Sequence, residues 1–371
     1  MSSWLPRGRV EWNVAIVAVL ALVAFGWLAR QSPQQGMLSY LFAFVFFTGL
    51  SVGALALIMV HALTGGAWGE ALRPQWMAAA RTLPLQLLFA LPVLTKMPVL
   101  YSWDHADAVA RDPLLKAQGW YLNAPFFVAR TVGYFVLWLG LLLFVVRGSG
   151  RRASVAAVGL IVFALSMLLA STDWVMSLLP HWHSSVFGMM VSTGCMLAAA
   201  ALATLHLTVS ADGPVCAPQL LGDLGSLLLM FVLAWWYLAF MQYLTIWAAD
   251  LPAETVWYIP RTLTTWRALA WLGVALNFAL PFVVLLIRRA KRQRKWLGAM
   301  AALLLLGNLA DALWLVVPSF RPGGFDLRWT DLLAPLGMGA LWLCAYLGQY
   351  RSQRPLRRES LVPPALESAS G

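Results

Sequence analysis

The chain has 371 residues, of which 61% are hydrophobic and only 11% charged. A soluble domain carries about 25% charged residues, so this composition cannot clothe a water-facing surface and excludes a soluble enzyme, a secreted disulfide scaffold and a disordered protein. Lys+Arg exceed Asp+Glu by 26 to 15, a net charge of +11, and in so apolar a chain that excess points to a membrane rather than to nucleic acid.

A bilayer core takes roughly 20 apolar residues per helix. Runs of that kind fall near Val14–Ala29, Leu38–Leu63, Leu83–Tyr101, Pro125–Val146 and Ser154–Thr172. The second half adds Val186–Val209, Leu224–Trp247, Trp266–Ile287, Leu297–Val317 and Leu332–Tyr350. These ten predict an all-α integral membrane domain over 1–352, followed by a Pro/Ser/Ala-rich tail over 353–371 that is expected to be disordered. Arg7 and Arg9 ahead of the first run resemble the start of a signal peptide. Trp27-Leu28-Ala29-Arg30 closes that run without a small-residue cleavage site, so an uncleaved first span is expected. Pro92 and Lys96 interrupt the third run. The longest outer connection, 103–123, mixes acids with Trp103, Trp120 and Tyr121 and is expected to lie on the membrane interface.

Basic residues set orientation. With the N-terminus inside, the inner segments hold Arg7, Arg9, Arg73, Arg81, Arg147, Arg151, Arg152, the run from Arg288 to Lys295, and Arg351, Arg354, Arg357 and Arg358. Outer segments carry Asp104, Asp107, Asp112, Asp250, Glu254, Asp326 and Asp331. Both termini are therefore expected on the cytoplasmic side. Cys195, Cys216 and Cys344 stand far apart, with no CxxC or CxxCH spacing, which argues against covalent haem or an iron–sulfur cluster in this protein.

Ionisable residues inside spans are costly and face a partner or a cavity. Counted from the expected inner ends, Lys96 and Asp311 each lie about 21 Å along their helices. Arg130 enters the outer third of the fourth span, Asp173 closes the fifth and Arg267 opens the eighth. Asn308 and Asp311 share a helix face. One reading is a hydrated pocket that carries protons or holds a quinone head group; the other is a set of structural ion pairs, with Lys96 and Arg130 reaching outward. His61 and His206 sit at matching depth near the inner ends of spans two and six. They allow a different reading, a b-type haem held between two imidazoles, or a plain interfacial role. His181 and His183 belong to an outer turn and His105 to a loop. Tryptophans near span ends (Trp12, Trp103, Trp174, Trp182, Trp247, Trp257, Trp296) are expected as interfacial anchors, and Pro92 and Pro281 as kinks. A secondary transporter would call for paired helix breaks in the two halves, and none is evident.

Two blocks carry a resemblance: Asp173-Trp-Val-Met-Ser-Leu-Leu-Pro-His-Trp-His-Ser-Ser-Val-Phe-Gly188, and Gln242-Tyr-Leu-Thr-Ile-Trp-Ala-Ala-Asp-Leu-Pro-Ala-Glu-Thr-Val-Trp-Tyr258 with Arg261 following. Both resemble the NrfD-like membrane subunits of bacterial alternative complex III, of the ActF type, which belong with the membrane subunit of polysulfide reductase. Gly65-Gly66-Ala-Trp68, the run from Lys116 to Arg130, Asn277-Phe-Ala-Leu-Pro-Phe282 and Asp311-Ala-Leu-Trp-Leu-Val-Val-Pro318 extend the likeness over most of the sequence. The resemblance implies two four-helix bundles with flanking helices, in a non-catalytic subunit of a quinol:electron-acceptor oxidoreductase in the bacterial inner membrane. It implies no cofactor in this subunit. Quinol would lie in a neighbouring ActC-type NrfD-like subunit, and iron–sulfur clusters and haem c in further subunits, with a terminal oxidase as a further partner. It carries a proton-handling role to Asp173, His181 and Asp311; Lys96 joins them on depth alone. The haem alternative at His61 and His206 matches no site of that family.

Overall fold

A computed structural model describes residues 9–147, 152–210 and 217–353. Arg7, Arg151, Cys216 and the tail from 354 on lie outside them. Among the described residues the regular elements are helical and there is no strand. The long helices are α1 (Arg9–Gln31), α2 (Pro33–Thr64), α3 (Ala67–Ala80), α4 (Leu83–Thr95), α5 (Ala124–Arg147) and α6 (Arg152–Trp174). They continue with α7 (Phe187–Val209), α8 (Pro218–Ala249), α9 (Trp266–Val274), α10 (Leu280–Leu286), α11 (Arg294–Val316) and α12 (Trp329–Ser352). Among the described residues, nine segments are long and apolar enough to cross a bilayer, α9 and α10 counting as one, and α3 with α4 forms a tenth, bent by 40°. The protein is all-α and multi-pass in the membrane.

The third span differs from its sequence expectation. It begins at Ala67, not Leu83, and its first half carries Glu70, Arg73, Pro74 and Gln75, too polar for an apolar-run criterion. Burial inside the protein compensates: Trp76 is buried and its indole N–H donates to the Ala199 carbonyl of α7 at 3.2 Å. Arg81 is consequently no inner-segment residue; it sits at the bend between α3 and α4. Beside it Thr82 is fully buried, 2.7 Å from Ser51 Oγ of α2, which also accepts the Trp342 indole N–H of α12 at 3.1 Å. The whole span is about 40 Å long at 1.5 Å per residue. Lys96 therefore follows its far end and is exposed.

Helix α2 is the axis of the fold. It packs on α3, α4, α6, α7, α11 and α12, and most of its length is buried. Lipid offers no hydrophobic force between spans, so close backbone approach must supply the attraction. Gly49 and Gly53, four apart on α2, meet Cys195 of α7; a Cβ on Gly53 would lie 2.3 Å from the Cys195 carbonyl oxygen. On the periphery α1 runs along α12 and turns Ile16, Leu20, Val23 and Trp27 outward, as a lipid-facing helix does. Successive spans alternate in direction. The ends bearing Arg73, Arg147, the Arg288–Lys291 turn and Arg351 thus gather on one side, here the basic face, and the ends of α4, α6, α8 and α11 on the opposite face.

Candidate functional site

Three buried arginines fasten the opposite face. Arg130 of α5 donates through Nε and Nη2 to the two oxygens of Asp173 on α6, at 2.8 and 2.9 Å, and Tyr134 Oη donates to the same carboxylate at 2.6 Å. Its remaining nitrogen reaches the Tyr121 carbonyl at 2.8 Å, and its guanidinium lies 3.9 Å from the Tyr121 ring. Asp173 is 0% exposed. This is a bidentate pair with its oxygens satisfied, the arrangement that makes a buried ion pair tolerable. Arg321 holds Asp331 in the same fork, at 2.9 and 3.1 Å, while Ser39 donates to Asp331 at 2.6 Å and Gln35 Oε1 accepts from Arg321 at 2.9 Å. That cluster joins the start of α2 to the start of α12.

Among the described residues Arg261 takes no carboxylate. Its donors go to the carbonyls of Trp257, Trp314 and Leu315 and to Ser319 Oγ, and the cation lies 3.6 Å from the Trp257 ring. Burial pulls its guanidinium down to about 9, which still leaves it charged at neutral pH. Trp257 stacks on Trp182 at 4.2 Å, and Gln242 links Ser184 (2.9 Å) to Tyr258 (3.1 Å). Burial raises the Tyr258 phenol to about 12, keeping it a hydrogen-bond donor or acceptor and not an anion. The segments 173–188 and 242–258 are thus each other's packing partners. Trp103, Trp174, Trp182 and Trp257 are buried in these clusters and are not interfacial anchors; Trp12, Trp247 and Trp296 do face outward. Span-end position alone does not separate the two fates: what buries an indole is a neighbouring loop that folds back. The loop 103–123 does so, with Trp103 stacked on Tyr101 at 5.0 Å and short helices at Ala106–Arg111 and Pro113–Gln118.

Asp311 is placed differently. Among the described residues no group hydrogen-bonds or ion-pairs with its carboxyl. It faces a cavity of about 40 Å³ between α2, α7 and α11, lined also by Phe46, Gly49, Cys195 and Asn308. A water needs on the order of 10–15 Å³ of such space, so there is room for water. One turn away, Asn308 Nδ2 donates to Leu304 O at 2.8 Å and to Asn277 Oδ1 at 3.2 Å. Asn277 lies fully buried on a π-helical turn, Ala275–Ala279, immediately ahead of Pro281. Proline has no N–H to give to the carbonyl four residues back, so the helix widens where the sequence expected a kink. Asn277 reaches α11 because Gly307 is there: a Cβ would lie 2.4 Å from Asn277 Oδ1. Its Nδ2 finds no partner among the described residues.

The proton-handling candidates are therefore not brought together. Asp173 is locked to Arg130, Asp311 opens into its own cavity, Lys96 is exposed beyond α4, and His181 is exposed on the opposite face, 2.9 Å from Asp112. Nor do His61 and His206 present a common haem slot. His61 Nε2 lies 3.1 Å from the Gly66 carbonyl, and a Cβ on Gly69 would sit 1.8 Å from the imidazole Cδ2, so α3 fills that side of the ring. His206 Nδ1 bonds Tyr346 Oη, and its ring packs on Tyr350 at 4.3 Å. A bis-imidazole site needs two unoccupied ring nitrogens facing each other across one iron; here the two rings are engaged by α3 and by α12, and the fit is poor. Among the described residues no group of three or more His, Cys, Asp or Glu is arranged to hold a metal. Of the residues that complete the two sites, Tyr134 carried no assigned role in the sequence, Arg130 was expected as an ion-pair residue reaching outward, and Asn277 figured only in one of the quoted blocks. No protein-family model matches the sequence, and no curated protein does.

Proposed function

We propose that the protein is a non-catalytic membrane subunit of a quinol-oxidising respiratory complex of the alternative complex III kind, and that Asp311 handles protons within it. The observation that carries the proposal is the Asp311 carboxyl itself, half-buried beside a water-sized, half-open cleft between α2, α7 and α11 and one turn from the Asn308–Asn277 pair, with no partner among the described residues. An ionised group with neither partner nor water costs several kcal/mol in a bilayer, so its charge follows what enters the cavity. That is the property a proton carrier needs and an ion-paired carboxylate lacks.

The packing of segments 173–188 and 242–258 against each other, and of Asn277 against Asn308 beside Asp311, agrees with the family resemblance those blocks carry. So does the sorting of spans: two to five pack together, six to nine pack together, α2 meets α7 between them, and α1 with α12 flanks the pair. This sorting supports the two-bundle plan the resemblance implies. In this reading the basic face is cytoplasmic, the membrane is the bacterial inner membrane, and electrons travel only through the haem c and iron–sulfur subunits. Quinol oxidation releases two protons with two electrons; this subunit supports the quinol-binding neighbour and handles the former.

Mild extraction of the native assembly should bring down haem-bearing subunits with this protein. Recovery of the protein alone would overturn the complex. In the intact complex Asp311→Asn should lower proton release per quinol oxidised while assembly persists. Unchanged stoichiometry and turnover would make Asp311 structural.

A further inference from the structure

A second cavity, larger than the cleft beside Asp311, is unrelated to it. It lies on the basic face, where the end of α2, the first turns of α3, the end of α5 and the start of α6 meet, and encloses about 300 Å³. Small-molecule sites run from about 300 to 1,000 Å³. The wall toward the bilayer is apolar, with Met59, Phe144 and Ala156. The wall toward the face is charged, with Glu70 and Arg73 one turn apart on α3. Their position follows from a glycine turn: Gly65 (φ 66°) and Gly66 (φ 103°) reverse the backbone with no intervening loop and swing α3 back over His61. His61 is spent on that turn, and Glu70 is 3.8 Å from it and 74% exposed. Among the described residues Arg73 has no hydrogen-bond or ion-pair partner.

The cavity therefore offers a ligand a cation with no partner among the described residues, an exposed carboxylate beside His61 and an apolar floor, at the level where a membrane protein meets lipid head groups. We infer that it is a binding site for a zwitterionic, amine-bearing phospholipid. The phosphate lies against Arg73, which as a guanidinium can take two of its oxygens. The ammonium lies against Glu70, and the first methylenes of an acyl chain run over Met59 and Phe144. An anionic lipid satisfies Arg73 but meets Glu70 with a like charge or a hydroxyl. A trimethylammonium head brings no N–H for the carboxylate.

The test is native mass spectrometry of the full-length protein in detergent with dioctanoyl phosphatidylethanolamine, phosphatidylglycerol or phosphatidylcholine, and with phosphoethanolamine alone. Phosphatidylethanolamine should bind at least about tenfold more tightly than the other two lipids, and phosphoethanolamine should not bind over the same range. Glu70→Gln, at an exposed position, should remove that preference, the roughly tenfold change expected for one charge-assisted hydrogen bond. Arg73→Gln should weaken all three lipids alike. Equal affinity of the three lipids for the unaltered protein would overturn the site without recourse to any variant. So would a preference that survives Glu70→Gln, binding of phosphoethanolamine as tight as that of the lipid, or displacement of the lipid by a short-chain quinone.

Discussion

Asp173 and Asp311 are the same side chain within the same membrane domain, placed in opposite circumstances. Asp173 has a bidentate arginine, a tyrosine hydroxyl and no exposure at all. Asp311 has a cavity and no partner among the described residues. The difference teaches that a charged residue in a span is not by itself a functional signal; its partner decides. A carboxylate whose oxygens are all occupied resists any change of charge, because losing the charge strands the arginine. A carboxyl facing a water-sized space can take or give a proton with little rearrangement. Arg130 makes the same point from the other side, since its burial against Tyr121 and Asp173 is what anchors the loop before α5.

The sharpest way to break the comparison is Asp173→Asn. It leaves Arg130 buried without a counter-charge, a loss of about 3–5 kcal/mol, read as a large drop in thermal stability or in yield of the assembled protein. Adding Arg130→Gln should recover part of that loss, because the stranded charge goes with it. If Asp173→Asn folds normally and lowers proton release, the two carboxylates exchange roles. Next in size is Gly49→Ala. The new methyl group would lie 2.7 Å from Cys195 Sγ, an overpacking cost of about 1–3 kcal/mol, and it narrows the Asp311 cavity from the α2 side. Lower proton release together with lower stability is the expected pair of results. A normal melting temperature would mean that α2 and α7 can part more easily than their packing implies.

Asp311→Asn sharpens the contrast by doing the reverse of Asp173→Asn. It breaks no ion pair and nearly conserves volume, so stability should move by less than about 1 kcal/mol while proton release falls. Loss of several kcal/mol at Asp311 would point to a salt bridge formed with a neighbouring subunit.

Much of the fold was legible in apolar runs, because the bilayer imposes one length and one polarity on every span it touches. The rule failed where protein replaces lipid. Ala67–Ala80 tolerates Gln75 because α2, α7 and α12 pack around the second half of that helix, while Glu70 stays exposed near its start, and that omission carried Arg81 to the wrong depth. At the site, the periodicity of Asn308 and Asp311 was readable as a shared face, and Pro281 as a disturbance of span eight. Their meeting with Asn277 was not, since it depends on the missing side chain of Gly307 and on the register between two helices. Structural ion pairs were one reading open in the sequence, but Arg130 was expected to reach outward and its pairing with Asp173 was not named there. Choosing it required the positions of Tyr121 and Tyr134, which no local pattern supplies.

Lys96→Gln is the smallest expected effect and tests the depth argument directly. A lysine buried opposite Asp311 would be its natural counter-charge, and removing it would strand the carboxylate, with losses as large as those at Asp173. Lys96 instead lies exposed past the last turn of α4. Its ammonium can stay hydrated there, and an isolated surface charge contributes within about 0.5 kcal/mol. Neither melting temperature nor protons released per quinol should change beyond that. If proton release fell as far in Lys96→Gln as in Asp311→Asn, with stability unmoved, the two groups would have to share one hydrated path. The 40° bend of span three would then have to open to admit it.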